Sequence, residues 1–98
     1  MTRRYALTNA AARDLDAIWD YTADTWSIDQ ADRYIAEIGV ACEALARGDK
    51  IGRPADDIRP GSRKFAVGSH VLFFRQRPDG VTEVVRVLHQ QMDLPSNL

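Results

Sequence analysis

Lys64-Phe65-Ala66-Val67-Gly68-Ser69-His70-Val71-Leu72-Phe73-Phe74-Arg75-Gln76-Arg77-Pro78-Asp79-Gly80-Val81-Thr82-Glu83-Val84-Val85-Arg86-Val87-Leu88-His89 decides the fold. It reads as three strands joined by two tight turns. Gly68-Ser69 suits a two-residue type II′ turn that pairs Val67 with His70. Arg77-Pro78-Asp79-Gly80 suits a type I turn with a glycine bulge, which brings Arg77 near Val81. Counting back from it, Arg75 faces Glu83, Phe73 faces Val85 and Val71 faces Val87. Side chains alternate along a strand, so the register sorts them onto two faces. Ala66, Val71, Phe73, Val85 and Val87 share one, with Lys64, Arg75, Glu83 and His89 at its ends. Arg63, Phe65, Val67, His70, Leu72, Phe74, Val84, Arg86 and Leu88 share the other. Both are apolar, and a slip by one residue exchanges them. The rest of the chain can cover one face. The face carrying Arg63 and Arg86 is expected to stay open as an interaction surface. Its contacts would come from those arginines and from Phe65, Leu72 and Phe74.

Upstream, Arg4-Tyr5-Ala6-Leu7 reads as a short edge strand. Thr8 follows as a helix N-cap. Ala11, Leu15, Ile18, Trp19, Thr22 and Trp26 then recur every three or four residues, one face of a helix. This spacing puts Trp19 and Trp26 on the buried stripe, although a Trp at a helix end can also anchor a partner. Asp14, Asp16, Asp20 and Asp24 read as a solvated helix face. Ser27 and Gln30 form a capping-box pattern that opens a second helix. Its apolar stripe is Ala31, Tyr34, Ile35, Ile38, Ala41, Cys42 and Leu45, and it stops at Arg47-Gly48. So short a link predicts an antiparallel helical hairpin. Residues 49–60 read as a loop that touches a sheet edge. The class is α+β: an N-terminal strand, then a helical hairpin packed on one face of a small antiparallel sheet. Ninety-eight residues suit a single domain, 1–98.

Thirteen Lys and Arg against 14 Asp and Glu give a net charge of −1. That balance lacks the basic excess of a nucleic-acid binder. Acidic residues crowd the first helical region. Arginines crowd the C-terminal half, which predicts a locally basic sheet beside an acidic helical layer. Cys42 is the only cysteine, so neither a disulfide framework nor a cysteine-based metal site can form. The histidines, His70 and His89, lack metal-ligand spacing, and no glycine-rich phosphate loop occurs. No metal or cofactor is expected. No apolar run approaches the ~18 residues of a membrane span, so the expected address is the cytoplasm.

Arg63, Arg86 and His89 are the residues most open to a chemical role. Arginines could stabilise charge developing on a phosphodiester, and a histidine could move a proton. The bland alternative is that the arginines pair with an acidic partner segment and His89 caps the last strand. No second acid or base is evident. Beyond His89, the tail with Met92, Asp93, Leu94 and Leu98 either folds back or anchors a partner.

An ordered set of residues resembles the ParE branch of the RelE/ParE toxins of bacterial type II toxin–antitoxin systems. It comprises Leu7-Thr8, Ala11-Ala12, Asp14-Leu15, Ile18-Trp19, Tyr21, Trp26, Gln30-Ala31 and Tyr34. It continues with Gly52-Arg53, Ile58 to Gly61, Arg63, Val67 to Val71, Val85 to Gln90, and Met92-Asp93. The resemblance implies the fold read above and a ParD-like antitoxin that wraps the toxin in a hetero-oligomer, a heterotetramer. It implies DNA gyrase as the target, with no catalysis, no sequence-specific DNA contact and no membrane. The expected antitoxin or target contacts are Trp19, Trp26, Arg63, Phe65, Leu72, Phe74, Arg86, His89, Met92 and Asp93. RelE-like relatives instead cleave mRNA on the ribosome. Arg63, Arg86 and His89 match some of their positions, but no Tyr follows His89. That endonuclease is the alternative reading.

Overall fold

A computed structural model describes residues 5–91. Strand β1 (Tyr5–Leu7) leads into helices α1 (Asn9–Thr25) and α2 (Ile28–Arg47). Strands β2 (Arg53–Pro54), β3 (Arg63–Val67), β4 (His70–Gln76) and β5 (Thr82–His89) follow. They form one sheet in the order β1-β5-β4-β3-β2, antiparallel except for β1, which runs parallel to β5. The helices form the hairpin expected from the short link and pack on one face of this sheet.

The helix ends follow from local chemistry. The Thr8 hydroxyl accepts from the Ala11 amide, 3.1 Å, and donates to the Val85 carbonyl, 2.7 Å. One cap therefore also ties α1 to β5. Ser27 accepts from the Gln30 amide, 3.0 Å, and starts α2. Gly48 ends α2 in the left-handed conformation, φ 82°, where a side chain would be strained. Ala31, Ile38, Cys42 and Leu45 of α2 are buried, as their spacing requires. In α1, Ala11, Ile18 and Thr22 are buried. Trp26 departs from the expected stripe. It is the C-cap of α1, where the chain turns toward α2, and it is 75% exposed. Trp19 is half-buried, and its indole donates to Asp32 of α2 at 2.9 Å. It links the two helices without entering the core.

The first hairpin register is as expected, with Val67 opposite His70. In the second, Arg75 does face Glu83, and the Arg77 amide donates to Val81 at 2.9 Å. Above that pair the register shifts. Phe74 pairs with Val84, but Phe73 pairs with Arg86, so Val85 is an extra residue on β5. Val71 consequently faces Leu88 and Leu72 faces Val87, in place of Phe73–Val85 and Val71–Val87.

The choice of open face is corrected as well. Leu72 and Phe74 are 0% and 2% exposed and lie in the core with Ile18, Ile38, Cys42 and Leu45 of the helices. Val84 joins them, and the bulge brings Val87 to the same side. The helices thus cover the face that was expected to stay open. Each large side chain so buried contributes about 1.5–3 kcal/mol. The opposite face is partly shielded. The loop after β2 folds compactly, with Ala55 buried and its amide on the Ser62 carbonyl, 2.8 Å. Pro60 and Ser62 of that loop bound one hollow together with Phe73.

Candidate functional site

Two couplings organise the side of the molecule where α1 meets β5. The first is Asp14. Its carboxylate accepts from Arg86 Nε at 2.8 Å, from Arg86 Nη2 at 3.0 Å and from the Val87 amide at 2.9 Å. β1 pairs with β5 only as far as Val84, so Val87 lies beyond the reach of that strand. Asp14 supplies the acceptor a neighbouring strand would otherwise provide. It is not the solvated residue its helix spacing implied. The bond also holds the Arg86 guanidinium above its ordinary pKa. Arg86 is therefore satisfied inside the chain, and is not the unpaired cation expected to await an acidic partner.

The second coupling is Tyr34, on α2. Its hydroxyl oxygen accepts from the Ser69 amide at 3.0 Å, sits 3.2 Å from the Val67 carbonyl, and lies 2.7 Å from His70 Nδ1. A phenol has one proton. When Val67 receives it, His70 must donate from Nδ1, which leaves the His70 Nε2 lone pair bare. The turn is built for this approach. Gly68 has φ +57°, and a Cβ there would come within 2.7 Å of the Tyr34 ring. Burial raises the Tyr34 pKa, with help from Glu37 and against the Ser69 bond. Burial also lowers the pKa of His70, aided by His89 and opposed by Asp14.

His70 pairs directly across the sheet with His89, the rings edge to face at 5.3 Å between centroids. His89 Nδ1 accepts from the Gln91 amide at 3.1 Å, so neutral His89 carries its proton on Nε2. A metal held by the Nε2 atoms of both rings would need the opposite tautomer at His89. Among the described residues, no group of three His, Cys, Asp or Glu is placed to hold a metal.

A groove of about 310 Å³ runs between α1 and the end of β5. Ala17, Ile18 and Tyr21 form one wall, and Val87 and Leu88 the other. Arg86 and Asp14 lie along it, as do His70 and His89. A second hollow of about 370 Å³ shares Tyr21, His70 and His89 with it and is bounded by Trp26 and Tyr34.

The residues singled out from sequence divide accordingly. Arg86 and His89 share the groove, and Trp26 bounds the adjoining hollow. Arg63 does not join them. Its guanidinium donates to the carbonyls of Ile51 and Gly52, both at 3.0 Å, on the far edge of the sheet. Leu72 and Phe74 are core, inaccessible to a partner. Phe65 is half-buried against that core. Met92 and Asp93 lie outside the described residues. Asp14, Tyr21, Tyr34 and His70 were not chosen from sequence. Only the placing of His70 and His89 at strand ends offered a signal, and it required the register to read.

A family model described as "ParE toxin of type II toxin-antitoxin system, parDE" matches residues 5–94. Toxin ParE1 of Mycobacterium tuberculosis is 49% identical over 98 residues, covering all of both chains. Toxin ParE1 of Caulobacter vibrioides is 40% identical over 95 residues, 96% of each chain. Toxin ParE of Escherichia coli is 33% identical over 94 residues, 96% of this chain and 91% of that one. Among solved structures, the chromosomal ParDE system of P. aeruginosa has a chain that matches with a TM-score of 0.76. It is 23% identical, covers 89% of this chain and 95% of that one, and agrees in fold. No helix among the described residues is long and apolar enough to cross a membrane. Matched along nearly its whole length, the chain belongs to the ParE family, the toxins of type II toxin–antitoxin systems.

Proposed function

We propose that this chain, acting as one domain, is a non-catalytic cytoplasmic toxin that inhibits DNA gyrase. A ParD-like antitoxin neutralises it by direct binding in a hetero-oligomer. The observation that carries the reading is the full-length match to proteins named Toxin ParE1. The solved chain of the same fold comes from a ParDE system, which supports an antitoxin partner. The disposition of the basic residues favours binding over cleavage. Arg63 is directed to the β2 edge and Arg86 to Asp14, so they do not converge on one phosphodiester with His89. Trp19, Trp26, Arg63, Phe65, Arg86 and His89 are the proposed antitoxin or gyrase contacts in the described part, with Met92 and Asp93 beyond it. Leu72 and Phe74 are core residues and make no such contact. Inducing the chain in cells tests the reading. The expected result is growth arrest with DNA damage, lifted by a co-expressed ParD-like protein, with messenger RNA ends unchanged. Codon-specific cuts in translated messages would instead establish the endonuclease, and normal growth would defeat both toxin readings.

A further inference from the structure

We propose that the antitoxin seats an apolar side chain, with a lysine or arginine beside it, in the groove between α1 and the C-terminal half of β5. The proposal rests on the antitoxin reading above and adds the place and chemistry of the contact. The walls of the groove are apolar, from Ala17, Ile18 and Tyr21 on the helix and Val87 and Leu88 on the strand. At about 310 Å³ it has room for a large side chain. It also leaves aromatic surface uncovered. Tyr21 on its wall is 69% exposed, and Trp26, in the adjoining hollow, is 75% exposed. Trp and Tyr dominate the energetics of protein contacts when a partner buries them. On the side of β1, β5 beyond Val84 has α1 beside it in place of a paired strand.

Charge selects the occupant. Asp20 and Asp24 are exposed one helical turn beyond Ala17 and Tyr21. At the opposite end Arg13 stands one turn before Ala17, and Arg86 is already bound to Asp14. The Tyr21 end therefore favours a cation on the incoming segment, which Tyr21 and Trp26 can also stack against. The other surface hollows fit such a segment less well. The hollow along α2 beside Val40 is rimmed by Arg33, Glu37 and Lys50, charges of both signs. The sheet hollow at Phe65, Ala66 and Val71 is flanked by Arg53 and Lys64, which disfavour an incoming cation.

Isothermal titration of the full chain with a purified ParD-like antitoxin tests the proposal. Ala17 is exposed, so Ala17→Trp fills the groove without entering the core. Tyr21→Ser serves as a second variant whose side chain carries little folding energy. Circular dichroism and Tm verify that both are folded. Each should weaken binding by about 30-fold or more, the scale of an interface hot spot. Asp20→Asn with Asp24→Asn should weaken it by roughly tenfold at low salt and flatten its salt dependence. Val40→Ser and Ala66→Glu should bind within about twofold of the parent. If the parent binds while Ala17→Trp and Tyr21→Ser match it, the groove is not the contact and the proposal fails. Loss of binding in Ala66→Glu alone would place the contact on the sheet and overturn it too. A parent that does not bind would defeat the antitoxin reading itself.

Discussion

Replacing Asp14 by Ala should be among the most damaging single changes on the outside of α1. Asp14 accepts two bonds from Arg86 and one from the Val87 amide, and the paired side chains are 15% and 26% exposed. Truncation leaves Arg86 partly desolvated without its carboxylate, and leaves a strand amide without its acceptor. A fully buried pair broken from one side costs about 3–5 kcal/mol, and an exposed pair under about 1. Intermediate burial puts Asp14→Ala at about 2–3 kcal/mol. For a domain of this size each kcal/mol lowers Tm by roughly 4–8 °C, so the midpoint should fall by about 10–20 °C. Asp14→Asn keeps the shape and one acceptor and should cost roughly half as much. Arg86→Ala should cost less than Asp14→Ala, because the Val87 bond survives. Urea unfolding of the two single variants and the double gives the coupling, expected at about 1 kcal/mol or more. A change under about 0.5 kcal/mol for Asp14→Ala, with the m-value unchanged, would refute the edge-capping role.

Three further outcomes follow from the Tyr34–His70 cluster and the core. Tyr34→Phe removes the hydroxyl shared by Ser69, Val67 and His70 and should cost about 1–2 kcal/mol in urea unfolding, with no gross change in fold. The His70 pKa is lowered in the folded state, so the unfolded chain binds the proton more readily. The stabilising contribution is therefore fully present above the unfolded value of about 6.5, and is lost as pH falls through the lower folded value. Unfolding midpoints between pH 7.5 and 5 should show this loss, and His70→Asn should flatten it. Cys42 is buried and its thiol is pushed up to about 11, so an aromatic disulfide reagent at pH 8 should react only after guanidinium unfolds the chain.

Much of the architecture was legible because it is encoded locally. Thr8, Ser27 and Gly48 punctuate the helices through their own hydrogen bonds or backbone angle, and the two turns set the start of each hairpin. The bulge at Val85 was not legible. No glycine marks it, and four apolar residues among Val84, Val85, Val87 and Leu88 satisfy either register. Which face the helices cover was hidden for a related reason. Leu72 and Phe74 on one side and Val71 and Phe73 on the other are equally apolar, so alternation cannot choose. The connection does, since Thr8 fastens the start of α1 to Val85 on β5. Asp14 and Arg86 are 72 residues apart, and Asp14 shares its helix with other carboxylates that are solvated. Only the folded chain distinguishes it. Trp26 obeys the helical spacing but falls where the helix ends, so periodicity no longer predicts its direction.

The proposed action on gyrase is tested by a supercoiling assay with purified gyrase, relaxed plasmid and a molar excess of the chain, with and without the antitoxin. The expected result is inhibited supercoiling with trapped, cleaved DNA, reversed by the antitoxin at equal stoichiometry. Supercoiling at the uninhibited rate, with no cleaved complex at any excess of the chain, would contradict it.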